Sequence, residues 1–191
     1  MQDRNVQEQG ILGNDSIHMC PVGAVHCKLK KPMLQASKDG LTLEERTQLA
    51  SEQHQMIMSM VSELVFEDEY APLLDGIEDF SHVLVLYWPH LVKPEGRELK
   101  KIHPMGRKDM PKKGVFATCS PARPNSVLVT AVRLLEREGS CLRVQGLEAV
   151  DGSPILDIKP YNPHYYSVSD AEMPDWMEEL QRDIGAGDSG C

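Results

Sequence analysis

The stretch His82-Val83-Leu84-Val85-Leu86-Tyr87-Trp88 is a near-continuous run of β-formers and the strongest strand signal in the chain. It predicts a central strand, and the neighbouring sequence supplies its partners. Upstream, residues 21–29 alternate weakly and predict a short strand, with another over 63–67. Downstream, residues 115–118 predict a strand end. Residues 127–136 and 141–147 predict two strands joined by Arg137-Glu138-Gly139-Ser140, a hairpin signal. Residues 155–158 add a last short strand. Helices are few. Thr42-Leu43-Glu44-Glu45 forms a capping box, and Leu49, Met56, Ile57, Met60, Val61 and Leu64 recur at three- and four-residue steps as one apolar stripe. Residues 174–182 predict a terminal helix with Trp176, Met177 and Leu180 on one face. Many short strands with one long helix predict a mainly-β (α+β) fold: a small β-barrel with a helical insertion over 42–62 and a short C-terminal helix. The barrel domain is expected over 18–168, between a loose tail at 1–17 and the C-terminal helix and disordered tail at 169–191. No GxGxxG follows a strand, so a doubly wound nucleotide-binding sheet is not supported.

The chain has 191 residues, 41% hydrophobic and 26% charged, which is enough for one domain with its own core. No apolar run approaches the ~20 residues of a membrane helix, and the polar N-terminus has no signal-peptide core. A cytoplasmic protein with no membrane contact is the default expectation. Five cysteines, an odd number with no CxxC pair, predict neither a disulfide framework nor a metal site. The net charge of −9 argues against nucleic-acid binding by the whole surface. Residues 93–113 differ: eight Lys or Arg face three acids, a local charge of +5 that suits phosphates.

Two segments place polar groups where apolar strands end. One is Gly114-Val115-Phe116-Ala117-Thr118-Cys119-Ser120-Pro121-Ala122-Arg123-Pro124-Asn125. The other is Asp151-Gly152-Ser153-Pro154-Ile155-Leu156-Asp157-Ile158-Lys159-Pro160-Tyr161. Strand ends on a rigid scaffold are where ligands commonly bind.

These segments, with Pro21-Val22-Gly23-Ala24-Val25 and Gly76-Ile77-Glu78-Asp79-Phe80-Ser81-His82, occur in the order found in the TsaA-like family, and the chain resembles that family over about 20–165. The resemblance implies a small barrel that binds S-adenosylmethionine near a homodimer interface and N-methylates threonylcarbamoyladenosine in tRNA. It implies cofactor contacts at Cys27, Lys28, Leu29, Ser81, His82, Cys119, Val129, Asp151, Gly152, Ser153 and Pro154. The family pattern has Arg where this chain has Cys119, and a glycine where it has Leu128. Family members in bacteria often carry a second C-terminal domain, for which this chain is expected to be too short.

Methyl transfer from a sulfonium needs alignment and exclusion of water more than covalent help. Such a site can therefore be built from turns. The cofactor's amino-acid end needs amides or a guanidinium for its carboxylate and acceptors for its ammonium. Ser120, Arg123, Asp151 and Asp157 are of that type. A nitrogen acceptor must lose a proton, and His82, Asp157 and Tyr161 are the groups able to take it. Asn125, Lys159, Lys112 and Lys113 are read as substrate-side groups, with tRNA reached through 93–113. A thiolate role for Cys119 has no base partner in the sequence. Three functions follow: a tRNA methyltransferase, a methyltransferase for a small metabolite, or a non-catalytic cofactor-binding module.

Overall fold

The computed structural model describes residues 17–32 and 43–185, with only the backbone for 43–47. The predicted tail over 1–16, the Thr42 cap and the last residues, 186–191, lie outside the described residues.

Six antiparallel strands close on themselves in the order β1-β2-β7-β6-β3-β8. They are β1 (Gly23–His26), β2 (Val61–Phe66), β3 (His82–Tyr87), β6 (Leu128–Glu138), β7 (Cys141–Gln145) and β8 (Pro154–Pro160). Closure leaves no free edge for another chain to extend. A separate two-stranded ribbon pairs β4 (Lys101–Ile102) with β5 (Lys113–Gly114). The helices are α1 (Leu43–Ser59), α2 (Pro94–Arg97), α3 (Pro163–Tyr166) and α4 (Asp175–Asp183).

The strand alternation is visible in what is buried. Val83, Val85 and Tyr87 of β3 point inward beside Val25, Leu64, Val132, Leu142, Val144 and Ile155, all at most 2% exposed. These side chains, aliphatic but for Tyr87, fill the barrel, so its interior is a core and not a channel. The central strand is where the sequence predicted it. The hairpin is also present: β6 runs to Glu138, β7 begins at Cys141, and Gly139 takes φ 59° in the two-residue loop.

Two expectations are corrected. The apolar stripe was read as helix through Leu64, but α1 ends at Ser59, and Val61 and Leu64 belong to β2, with Leu64 pointing into the barrel. Alternation in β2 and periodicity in α1 share the apolar residues at the junction, so spacing alone did not separate them. Residues 115–118 are not a strand end either. Lys113 and Gly114 pair briefly with β4, and Val115–Ala117 then forms a 3-10 turn closed by the Thr118 amide on the Val115 carbonyl (3.2 Å).

The basic segment is anchored by α4. The Arg107 side chain, 10% exposed, is held by Asp109, Glu179 and Asp183, and Lys113 lies 5.2 Å over the Trp176 ring. Asp109 most, and Asp183 after it, raise the Arg107 guanidinium further.

Candidate functional site

The predicted residues fall into three groups on the barrel. The first is a rim at one barrel end, where β1 runs out and β8 begins. The Cys27 amide donates to Asp151 Oδ1 (3.0 Å), Lys30 Nζ meets Asp151 Oδ2 (2.7 Å), and the Asp151 amide donates to the Leu29 carbonyl (2.8 Å). The Gly152 amide donates to the Val25 carbonyl (2.7 Å), and the Val25 amide to the Ser153 carbonyl (3.0 Å). Cys27, Lys28, Leu29 and 151–154 are thus one connected edge. Lys30 and the Cys27 amide hold the Asp151 carboxyl below its ordinary value. Burial pushes the Cys27 thiol up, and its Sγ donates to the Ala149 carbonyl (3.3 Å), so Cys27 is a neutral structural group.

Sequence reasoning missed three members of this rim, Lys30, His90 and Arg97. His90 Nδ1 lies 3.4 Å from Ser153 Oγ, and its ring faces the space a side chain at Gly152 would occupy, 3.9 Å from that Cβ position. Gly152 has φ 79°, so the left-handed turn favours glycine, while the ring stands at ordinary contact distance from that Cβ position. Trp88 donates its amide to the Pro154 carbonyl (2.9 Å), while Arg97 lies 4.2 Å over its ring and donates to the Val92 carbonyl (3.1 Å). Neither His90 nor Arg97 stands within a recognisable motif. Only the run ending in Trp88 pointed toward them.

The second group lies on the outer face of β6, β3 and β8. Register places Val129, Leu86 and Asp157 in one row and Ala131, Leu84 and Lys159 in the next. Arg133 pairs with His82, whose carbonyl accepts from the Tyr161 amide (3.0 Å). A bulge opposite the Leu86–Tyr87 step makes this possible: Tyr87 pairs with Ile155 and Leu86 with Asp157, so Leu156 is the extra residue. Ile155 stays in the core, while Asp157 and Lys159 come to the outside. Their side chains form an ion pair at 2.6 Å, and the Ile158 amide donates to Asp157 Oδ1 (2.9 Å). That pairing raises the Lys159 ammonium. Ser81 Oγ and His82 Nδ1 share a hydrogen bond (2.9 Å), and Tyr161 stands between the His82 ring (6.5 Å, edge-on) and the Tyr166 ring (5.8 Å, stacked). The face therefore offers an apolar strip, Val129 being 60% exposed, bordered by cations, one carboxylate and aromatic rings.

The third group is the 114–125 loop. Cys119 is exposed and free. The Ala122 amide donates to Ser120 Oγ (3.2 Å), Ser126 Oγ donates to the Arg123 carbonyl (2.8 Å), and the Val127 amide to the Asn125 carbonyl (2.7 Å). Arg123 lies 5.6 Å over the Phe116 ring. The loop enters β6 beside Tyr87 and so reaches the same barrel end as the rim. Lys113 sits in β5, and Lys112, just before it, is exposed. Among the described residues, no group of three His, Cys, Asp or Glu could hold a metal ion, and no helix is long and apolar enough to cross a membrane.

This arrangement suits a ligand with an apolar body and a zwitterionic end. The glycine cradle at 152, the apolar strip and the flanking Asp157, Lys159 and Arg133 fit S-adenosylmethionine in kind.

Known proteins share this construction. The model of the tRNA-methyltransferase O N-terminal domain matches residues 44–167. A probable S-adenosyl-L-methionine-binding protein of Methanothermobacter thermautotrophicus is 50% identical over 100 residues, covering 52% of this chain and 69% of that one. The human tRNA (adenine(37)-N6)-methyltransferase is 39% identical over 102 residues, which are 53% of this chain but only 22% of the human protein. A solved structure of TrmO superposes with a TM-score of 0.62 at 26% identity, over 83% of this chain and 64% of that one. The chain thus spans about a fifth of the human relative and under two thirds of the solved structure. With barrel, rim and outer face in place, the chain belongs to the tRNA-methyltransferase O N-terminal domain family, a family of S-adenosylmethionine-binding, methyltransferase-like β-barrels.

Proposed function

We propose that the protein is an S-adenosylmethionine-dependent methyltransferase that N-methylates threonylcarbamoyladenosine in tRNA. The observation that carries this reading is the β6–β3–β8 face, where register and one bulge gather Val129, His82, Asp157, Lys159 and Tyr161. The cofactor brings a methyl group already activated on a sulfonium. The chain's task is to bind, orient and exclude water. Lys159 and Arg133 suit the cofactor carboxylate, Asp157 suits its ammonium or the sulfonium, and the apolar strip suits adenine. His82, oriented by Ser81, and Tyr161 are the groups positioned to take the proton an attacking nitrogen releases.

An open sheet face excludes water only when covered. A second copy of the chain, whose own face would bring matching apolar strips, supplies that cover in this reading. Val129→Glu should then reduce the mass seen in sedimentation velocity from dimer to monomer while the far-UV circular dichroism stays that of the folded barrel, since this side chain is exposed. A wild-type protein that sediments as a monomer overturns the dimer.

Calorimetry with S-adenosylmethionine tests the shared premise, and Asp157→Asn should weaken binding about tenfold. Mass spectrometry of tRNA nucleosides, with the gene deleted and restored, tests the acceptor: unchanged methylated threonylcarbamoyladenosine refutes it. Charge reversal at Lys100, Lys101, Lys112 and Lys113 should weaken tRNA binding and reduce its salt dependence. One observation favours a second reading. Archaeal relatives are named only as S-adenosyl-L-methionine-binding proteins, which suits a module that binds the cofactor without turnover.

A further inference from the structure

The 93–124 region holds a feature that cofactor binding does not use. A groove of about 360 Å³ opens between the segment leaving α2 and the 3-10 turn of 115–117, with an almost wholly apolar lining that includes Leu99, Val115, Phe116, Ala117 and Pro124. Its two walls are tied together. Lys101 pairs with Gly114, and the Val115 amide donates to the Lys100 carbonyl (3.0 Å). Inside this frame Phe116 is 77% exposed, an unusual place for an aromatic ring on a turn so firmly held. The turn is locked by Thr118, whose hydroxyl donates to the Val115 carbonyl (2.9 Å) and accepts from the Ser120 amide (3.4 Å).

The surroundings are cationic. Lys100 and Glu98 line the groove together with Arg97, whose guanidinium is turned to the Trp88 ring and the Val92 carbonyl, and the Arg123 guanidinium lies over the Phe116 ring. Residues 93–113 carry +5 on a chain whose total is −9, with Glu179 and Asp183 of α4 meeting Arg107. An exposed aromatic ring in an apolar groove bordered by cations is an arrangement by which proteins hold unpaired bases: the ring stacks, and the cations meet the flanking phosphates. A purely apolar partner would leave those cations without a counter-charge, whereas single-stranded RNA satisfies both.

We infer that the Phe116 groove is a seat for an unpaired nucleobase of an RNA loop, with Phe116 as the stacking platform and Lys100 and Arg123 on the neighbouring phosphates. This deepens the tRNA reading above and rests on it for its biological substrate. It adds a specificity element away from the methyl-transfer face: a looped RNA is preferred to a duplex of equal charge, because only unpaired bases can stack.

The test uses the full chain without cofactor. The probes are a fluorescein-labelled 17-nucleotide RNA hairpin with a seven-nucleotide loop and a blunt RNA duplex of equal phosphate count, read by anisotropy. Phe116→Ala should weaken hairpin binding about tenfold or more, the worth of one stacked base, and leave duplex binding unchanged. Phe116→Tyr should stay within about twofold of wild type, since the ring is kept. Lys100→Glu should weaken both probes. Because Phe116 is exposed, the melting temperature and calorimetric S-adenosylmethionine binding of Phe116→Ala should match wild type, which separates a lost seat from a lost fold. Equal hairpin affinity for wild type and Phe116→Ala overturns the seat, as does a wild-type protein that binds hairpin and duplex alike or binds neither. A wild-type protein that binds the hairpin through Phe116 but leaves tRNA nucleosides unmethylated keeps the seat and refutes the methyltransferase reading instead.

Discussion

The 151–161 and 114–125 segments resemble each other in sequence, apolar residues giving way to Pro, Gly and polar side chains, yet they are held in opposite ways. The first is woven into the barrel. Its amides and carbonyls pair with β1 and β3, and Asp151 reaches the Cys27 amide across 124 residues of chain. The second is held mainly by itself. Apart from the Gly114–Lys101 pairing and the Val115 amide on the Lys100 carbonyl at its start, its hydrogen bonds run from Thr118 to Val115, Ser120 to Thr118, Ala122 to Ser120 and Ser126 to Arg123, none of these spanning more than three residues. A long-range frame fixes side-chain directions to the barrel register. A local frame fixes a loop's shape but leaves its surface free to differ without disturbing the core. Cys119 and Leu128, where the resemblance led to the expectation of Arg and Gly, fall in and just after the locally held segment.

The contrast breaks first at Gly23. A Cβ there would stand 2.2 Å from the Val65 carbonyl oxygen and 2.8 Å from Phe66 Cα, inside the β1–β2 pairing, while Gly23 also pairs with Ile155. Gly23→Ala should therefore cost about 3 kcal/mol or more in urea unfolding, because backbone must shift to admit it. A loss below about 1 kcal/mol would mean that β1 is not fixed as described.

A smaller effect is expected in the other frame. Ser126 is fully buried and its hydroxyl donates to the Arg123 carbonyl. Ser126→Ala should cost about 1 kcal/mol, visible as a lower urea midpoint with unchanged slope. A much larger loss would show that the loop is coupled to the barrel after all.

Acid sharpens the difference at the rim. The folded Asp151 carboxyl lies below its ordinary value of 3.8, so its contribution to stability is present above that value and is lost as pH falls through the lower folded value. Unfolding below about pH 4 should be shallower in Asp151→Asn than in wild type; parallel acid curves would remove Asp151 from the clamp.

The smallest effect concerns thiols. Cys119 is exposed, whereas Cys27 is part-buried, bonded to the Ala149 carbonyl and shifted upward by burial. In native protein at pH 7.5, iodoacetamide should label Cys119 well before Cys27, as peptide mass spectrometry would show. Equal rates would mean the rim opens freely.

Much of the barrel was legible in the sequence. The run 82–88, the hairpin around Gly139 and the short strand within 155–158 each carry their signal within a few residues, because β-propensity and turn chemistry are local. The α1–β2 junction was not legible, since Met60, Val61 and Leu64 continue the helical spacing while Leu64 also belongs to the inward strand row of Ser62, Leu64 and Phe66. The candidate site was legible only in part. Asp151, Gly152 and Ser153 were found as a segment, but His90 and Lys30 had no local pattern and enter the site by packing and pairing across the rim.

The sequence by itself determined that this chain builds a β-barrel with added helices, that its apolar alternation fills one core, and that eight of its twenty Lys and Arg crowd into residues 93–113. Tertiary structure alone decided which residues share a face. Barrel closure set β8 between β1 and β3, and the extra residue at Leu156 turned Asp157 and Lys159 outward beside Val129 and His82. The physical reason is that hydrogen-bond register is a relation between strands: a one-residue change reverses every side chain beyond it, and nothing within either strand records which register its partner will take.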